Sequence, residues 1–339
     1  MVACEGGFLY PIVDTGRCTG CNRCTNACPS LSPYNERRPL KAYAAINPAE
    51  SVRMSSSSGG VFSLLAESVI SRGGTVFAAR FDMSWRVVHD KTATVQELGH
   101  FRGSKYVQSD IGNSYQEIAQ LLAEGNPVMF VGTPCQAAGL KHFLGKDHEQ
   151  LLTVDFICHG VPSPAVWQHY VRHQARKLSR KSWLGRLYYM FGHAAVVSHI
   201  SFRDKQQGWK NYQTVIRAKG TELRQNYYDN EYMKAFLADQ NLRLSCHHCM
   251  VKSGRSHSDI TLADFWNVHK VTDGFDDDKG TSLVLTNSDK GEQMLAKTCC
   301  RRKEVDFDSA IQYNKAWHTP FAESNGRSQF LQEYKNNWL

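Results

Sequence analysis

The sequence predicts a mixed α/β chain, a large domain on a sheet with at least one parallel region, preceded by a short cysteine-rich segment. Three observations predict it. Helix-like and strand-like stretches alternate from about residue 60 to residue 180, the order that lays helices over a parallel sheet. Four cysteines crowd into residues 18–28, ahead of that alternation. A length of 339 residues with 42% hydrophobic side chains is enough for a substantial core in one or two domains.

The elements follow in chain order. "GRCTGCNRCTNACPS" carries Cys18, Cys21, Cys24 and Cys28-Pro29, the C-x2-C-x2-C-x3-C-P run in which a tight loop wraps sulfurs around a cubane iron–sulfur cluster. Zinc competes, but structural zinc sites pair two short knuckles across a longer loop. The fourth cysteine of such a run usually serves a second cluster, and no second run is present. A cluster on Cys18, Cys21 and Cys24 therefore lacks an assigned fourth ligand, with Cys4 a weak substitute. After the turn-rich "SLSPYNERRPL", Val61, Phe62, Leu65, Val69 and Ile70 recur at helical spacing, and Thr75 to Phe81 are rich in β-formers. Gly59-Gly60 opens that helix and leaves N–H groups free for an anion, though such pairs also simply cap or turn. A helix near Ser114 to Ala123, the strand "PVMFVG" and the helix after "TPCQ" come next. The strand "LLTVDFI", "CHG" and a helix from Pro164 follow.

Charge and hydropathy narrow the function classes. The formal charge is +8, but Lys and Arg are scattered with no aromatic-basic stripe, which argues against nucleic acid. A mildly basic face suits an acidic electron-transfer protein instead. No run of eighteen apolar residues occurs, and Met1 to Pro11 has no secretory pattern, so the expectation is a cytoplasmic protein without a membrane partner. In a reducing cytosol, eleven cysteines argue for metal ligation or redox work over disulfides.

The remaining cysteines sit at strand ends and in one knuckle. Cys135 and Cys158 each fall just past a buried strand, at the sheet edge where ligands gather. Cys246 and Cys249 form a C-x2-C pair in "LSCHHCMVK". Four sulfurs from three loops could hold a second cubane. The alternative makes Cys135 and Cys158 small buried hydrophobes and lets the CHHC stretch hold zinc through Cys and His. Spacing alone leaves both open.

Seven stretches together resemble the coenzyme F-420 hydrogenase/dehydrogenase beta subunit family: "SSGGVFSLLAESVISRGGTVFAARFD", "FRGSKYVQSD", "VMFVGTPCQAAGL", "DFICHGVPSP", "CHHC", "SDITLADFW" and "SLVLTNSDKGEQM". The resemblance covers nearly the whole chain. It implies an iron–sulfur flavoprotein: a mixed-sheet flavin-binding domain at 41–339 behind a ferredoxin-like segment at 1–40. The implied cofactors are FAD and one or two [4Fe-4S] clusters. By motif, Ser57, Ser58, Gly59, Gly60, Gly103, Ser104, Lys105 and Tyr106 would help form the flavin site, with Gly132, Thr133 and Pro134 beside it. Cys135, Cys158, Cys246 and Cys249 would ligate an inner cluster, and Asp259 and Asp264 would shape the same pocket. His159 is a speculative proton donor, with a structural role the stronger reading. Many relatives carry two ferredoxin-type runs with "GFLYPIVD" between them, so either Met1 is a late start or the protein keeps one outer cluster. The expected function is an oxidoreductase linking a ferredoxin or other redox protein to a small organic substrate through FAD, which converts single electrons to pairs. The alternatives are a non-catalytic electron-transfer subunit and a zinc-containing interaction protein.

Overall fold

The computed structural model describes residues 2–4, 6–181, 197–218 and 220–337. The chain opens with an antiparallel ribbon, β1 (Val2–Ala3) with β2 (Leu9–Tyr10), and then the cysteine run around a short helix, α1 (Arg23–Ala27). The central sheet takes β3 (Lys41–Ile46), β4 (Thr75–Phe81), β5 (Val87–Thr92), β6 (Val128–Val131) and β7 (Leu151–Phe156). Between these strands lie α2 (Glu50–Met54), α3 (Val61–Ile70), α4 (Leu98–Phe101), α5 (Ser114–Ala123) and α6 (Pro134–Leu144), and α7 (Pro164–Lys181) follows β7. A second sheet holds β8 (Val197–Asp204), β9 (Gln213–Ala218) and β10 (Thr221–Asn226). The chain then returns to the first sheet with β11 (Ile260–Asp264), β12 (Ser282–Thr286) and β13 (Arg301–Val305).

The large sheet has eight strands in the order β13-β3-β12-β11-β7-β6-β4-β5. Its centre is parallel, β4 with β6, β6 with β7 and β7 with β11. Both flanks are antiparallel. The mixed sheet with a parallel region is the one the sequence pattern predicts, and α3, β4, α5, β6, β7 and α7 stand where the periodicity puts them. The two-residue alternation sorts the core. Tyr43, Ala45, Val76, Met129, Leu152, Val154 and Val284 face α3 and the helix Asp289–Ala296. Phe77, Val128, Phe130 and Leu151 face α5 and α6 on the other side, while Ala42, Ala44, Leu283 and Leu285 meet Phe265, Phe275 and Trp317. The three-stranded sheet builds its own aromatic core with α7, around Trp167, Tyr170, Phe202 and Tyr232.

One edge of the large sheet collects the carboxyl ends of β4, β6, β7 and β11. Register puts the end of β3 and the start of β12 at the same edge, since Ser282 pairs with Ala45 and with Asp264. In parallel α/β sheets this edge is where loops from separate chain positions meet and ligands bind.

Candidate functional site at the carboxyl edge of the sheet

Three segments bring the inner cysteines to this edge. Thr133 caps α6 with a capping box: its N–H donates to Gln136 Oε1 at 2.9 Å, and its hydroxyl accepts from the Gln136 N–H. The cap fixes Cys135 in the first turn, 3.1 Å from Thr133 Oγ1. Cys158 leaves β7 in a loop whose carbonyl accepts from Lys252 Nζ at 2.5 Å. Cys246 packs on that loop, taking a hydrogen bond from the Val161 N–H at 3.4 Å. A Cβ at Gly160 would lie 2.8 Å from the tip of the Leu242 side chain and 3.3 Å from Cys246 Cβ, so the loop passes close to Cys246.

The thiols feel one another. Burial lifts Cys158 well above the usual range, and Cys246, Cys135 and Cys249 add to it. Burial likewise pushes Cys246 up to about 12, with Cys135 and Cys249 contributing. Cys135 keeps solvent-accessible surface, yet the protein around it is dense enough that desolvation raises its thiol too. Among the described residues, no three His, Cys, Asp or Glu side chains close tightly enough to hold a single metal ion. His247 turns Nδ1 to the Phe321 carbonyl at 3.0 Å, and His248 is exposed. Four thiols from three loops, with donors from Val161 and Thr133 at the sulfurs, form a donor set that fits an iron–sulfur cluster.

The two loops expected beside a flavin touch each other. Ser57 Oγ accepts from the N–H and hydroxyl of Ser104, at 2.5 and 2.8 Å. Ser58 donates to the Thr281 carbonyl, and the Ser58 carbonyl accepts from Lys205 Nζ at 2.7 Å. Gly60 has φ +81° at the N-cap of α3, where no side chain caps the helix, so its first N–H groups are left without a side-chain acceptor. Gly132 closes β6 at this edge, its N–H donating to the Val154 carbonyl. Pro134 follows as the first residue of α6.

Four of the expected site residues make contacts of their own. The Lys105 ammonium donates to the carbonyls of Phe101, Arg102 and Gly103 at 3.0–3.2 Å, and burial pushes it down to about 7. Lys105 thus holds the turn of its own loop. Tyr106 packs its ring on Phe236 at 4.8 Å, and its hydroxyl takes Arg203. Asp259 is not beside Asp264, because it precedes β11 at the opposite edge of the sheet, five residues and roughly 16 Å away. There it accepts from Thr153 and Ser288 and ties strand to helix. His159 stacks on Phe321 at 3.8 Å and spends Nε2 on Asp239 at 2.6 Å, which makes it a positioned strut.

Asp264 does face the edge, joined to Arg203 from the second sheet at 2.8 Å. Burial opposes the Arg203 charge, but the Asp264 carboxylate outweighs it and the guanidinium stays cationic. Its carbon lies 4.1 Å over the Tyr212 ring and 4.9 Å over Trp266. Trp266 stacks on Trp209 at 4.1 Å, and Trp209 Nε1 donates to the Ser57 carbonyl. Lys205 completes this wall by clamping the carbonyls of Arg53, Ser58 and Lys279. Sequence reasoning missed Arg203, Lys205 and Trp209, whose only signal is an aromatic and basic stretch with no motif spacing.

The cysteine run is solvent-facing. Cys18, Cys21 and Cys24 are exposed, Cys28 is half-buried, and the Cys28 carbonyl accepts from Leu31 and Ser32. Hydrogen bonds from the Arg23 N–H and the Thr19 hydroxyl lower the Cys21 thiol, as a thiolate ligand needs. Cys4 is exposed in the turn between β1 and β2.

Fold and cysteine sets together define an iron–sulfur redox protein. Residues 9–30 match a 4Fe-4S binding domain. Residues 125–309, more than half of the chain, match the model for the carboxyl-terminal part of the coenzyme F420 hydrogenase/dehydrogenase beta subunit, and the chain belongs to that family. A chain from a xenon-derivatized structure of the F420-reducing [NiFe] hydrogenase complex of Methanosarcina barkeri shares the fold, with a TM-score of 0.51 and 16% identity. The match covers 90% of this chain and 91% of that one. No curated protein matches the sequence. Among the described residues, no helix is long and apolar enough to cross a membrane.

Proposed function

We propose that the protein is an iron–sulfur flavoprotein oxidoreductase that exchanges electrons with a ferredoxin-type protein and a small organic molecule. What supports the reading is the mutual influence of Cys135, Cys158, Cys246 and Cys249, together with the hydrogen-bonded Ser57 and Ser104 loops. When bound, iron–sulfur clusters supply one-electron transfer, and FAD supplies the exchange between single electrons and pairs. Cys18, Cys21 and Cys24 would hold the outer cluster, with Cys28 or Cys4 as its fourth ligand, and the four inner cysteines the second. Ser57 to Gly60, Gly103, Ser104 and the start of α3 would hold FAD, its diphosphate at the uncapped N–H groups. The chain's own work there is rigidity: Lys105 and Lys205 clamp six carbonyls of the two loops and their surroundings. A preorganised site of this kind keeps its geometry when a ligand's charge changes. A non-catalytic electron-transfer subunit is the second reading, favoured by the exposed cysteine run, and turnover with an artificial electron donor separates the two.

Protein purified without oxygen is expected to be brown and to contain iron, acid-labile sulfide and FAD. Cys135→Ser, Cys158→Ser, Cys246→Ser and Cys249→Ser should each remove a similar share of the iron, while Cys18→Ser spares that share. Stoichiometric zinc without sulfide would sink the reading, and unequal losses among the four would show that they do not form one site.

A further inference from the structure

A half-open cavity of about 860 Å³ lies between the cysteine-rich segment and the far end of α6, at the opposite end of that helix from Cys135. Four cations reach it from three stretches: Arg23 on α1, Arg37 in the loop beyond, and Lys141 and Lys146 at the end of α6. The one acid in the lining, Asp147, is bound to Lys141 at 3.1 Å, which leaves three cations in excess. Its wall is a ladder of rings, with Tyr34 stacked on His257 at 4.5 Å and tilted against His142 at 4.4 Å. The ladder and the His257 contact with the Asn35 carbonyl hold the loop that carries Arg37.

The kind of occupant follows from how these charges are presented. A small-molecule site converges buried polar groups on its ligand. Here no lining residue is buried as a whole, a single buried polar atom, His142 Nδ1, lies without a partner, and Arg23 and Lys146 are exposed. Exposed cations around a concavity act at a distance, steering an oppositely charged surface into place. They are also continuous with the cysteine run, because Arg23 stands between Cys21 and Cys24 and all three are exposed.

We infer that this basic face docks the acidic surface of an electron-carrier protein, whose carboxylates enter the cavity between Arg37 and Lys146. The inference rests on the iron–sulfur reading above and deepens it by fixing the face and the charge of the partner. The test uses the anaerobically purified, iron-loaded full chain with an acidic ferredoxin as probe. Wild type is compared with Arg37→Glu/Lys146→Glu, and exposed Lys146→Glu alone carries the test should the double variant misfold. The association rate by stopped flow should fall at least tenfold in the double variant at low salt. The difference should close toward about 1 M salt, where the Debye length is about 3 Å. A basic cytochrome probe should show the reverse preference. Equal rates for wild type and variant overturn the inference. So does saturable binding of ATP or inorganic pyrophosphate that the same variant loses, since the cavity is then a small-anion site. Iron and sulfide assays on the same samples keep the failures apart: missing sulfide in the wild type overturns the function, whereas full sulfide with unchanged rates overturns only the docking face.

Discussion

His89 in β5 shows what a single buried ring contributes. It stacks on Phe130 at 5.3 Å, and Nε2 meets the Val131 carbonyl at 3.0 Å. Burial pushes its pKa down to about 4. In the unfolded chain the ring titrates near 6.5, so between these values the unfolded state binds more protons and stability rises with pH. The contribution is present above about 6.5 and is lost as pH falls through about 4, on the order of 3 kcal/mol across that window. Denaturant unfolding from pH 7 down to pH 4 should therefore show a steep loss in the wild type and a shallower one in His89→Gln. An identical slope would mean that other groups carry the acid sensitivity. The ring was not legible as a buried titrating group, since "RVVHDKT" reads as an alternating strand and says nothing about depth.

At the scale of elements, Gly59 links α3 to the sheet. A Cβ there would lie 2.4 Å from the Ala45 carbonyl oxygen and 2.7 Å from the Ser282 nitrogen, both backbone atoms of paired strands. Gly59→Ala should cost at least about 1–3 kcal/mol, the usual range for overpacking, because no flexible side chain can give way. Thermal or urea unfolding reads it directly, and a change below about 0.5 kcal/mol would contradict the wedge between β3 and β12. The sequence marks Gly59-Gly60 as a helix entry, and that is correct for Gly60. It could not reveal that Gly59 serves packing, because β3 and β12 are separated by more than two hundred residues. Elements with a clean period, such as "TVFAARF" and "SYQEIAQLLA", were legible throughout. The polar strand "TELRQN" was not, since its half-buried residues follow neither period.

Across the whole molecule, one contact that joins the two sheets at the site is Arg203 with Asp264. Asp264→Asn leaves a buried cation without its counter-charge, and loss of one partner of a buried pair costs about 3–5 kcal/mol. Arg203→Met/Asp264→Asn should recover part of that loss, because the uncompensated charge goes with it. A double variant as unstable as the sum of the single ones would show that the pair is not coupled. The places of the cysteines, at strand ends and in a C-x2-C pair, were legible as local signals, whereas spacing alone left open whether they serve one site. The aromatic and cationic half of the site was not legible: Arg203, Lys205 and Trp209 acquire their meaning only when the second sheet docks, and no local pattern encodes docking.

The placement of α6 has a consequence for rate as well as for shape. Cys135 lies in its first turn, α1 packs against it, and Lys141 stands near its end. Its eleven residues span roughly 16 Å at about 1.5 Å per residue. In the proposed function this helix is a covalent ruler for electron tunnelling, which falls steeply with separation. Adding one residue to it would lengthen the ruler by about 1.5 Å and swing its two ends about 100° out of phase. If that function holds, a deletion or insertion in α6 would alter the timing of electron transfer even where every cysteine survives.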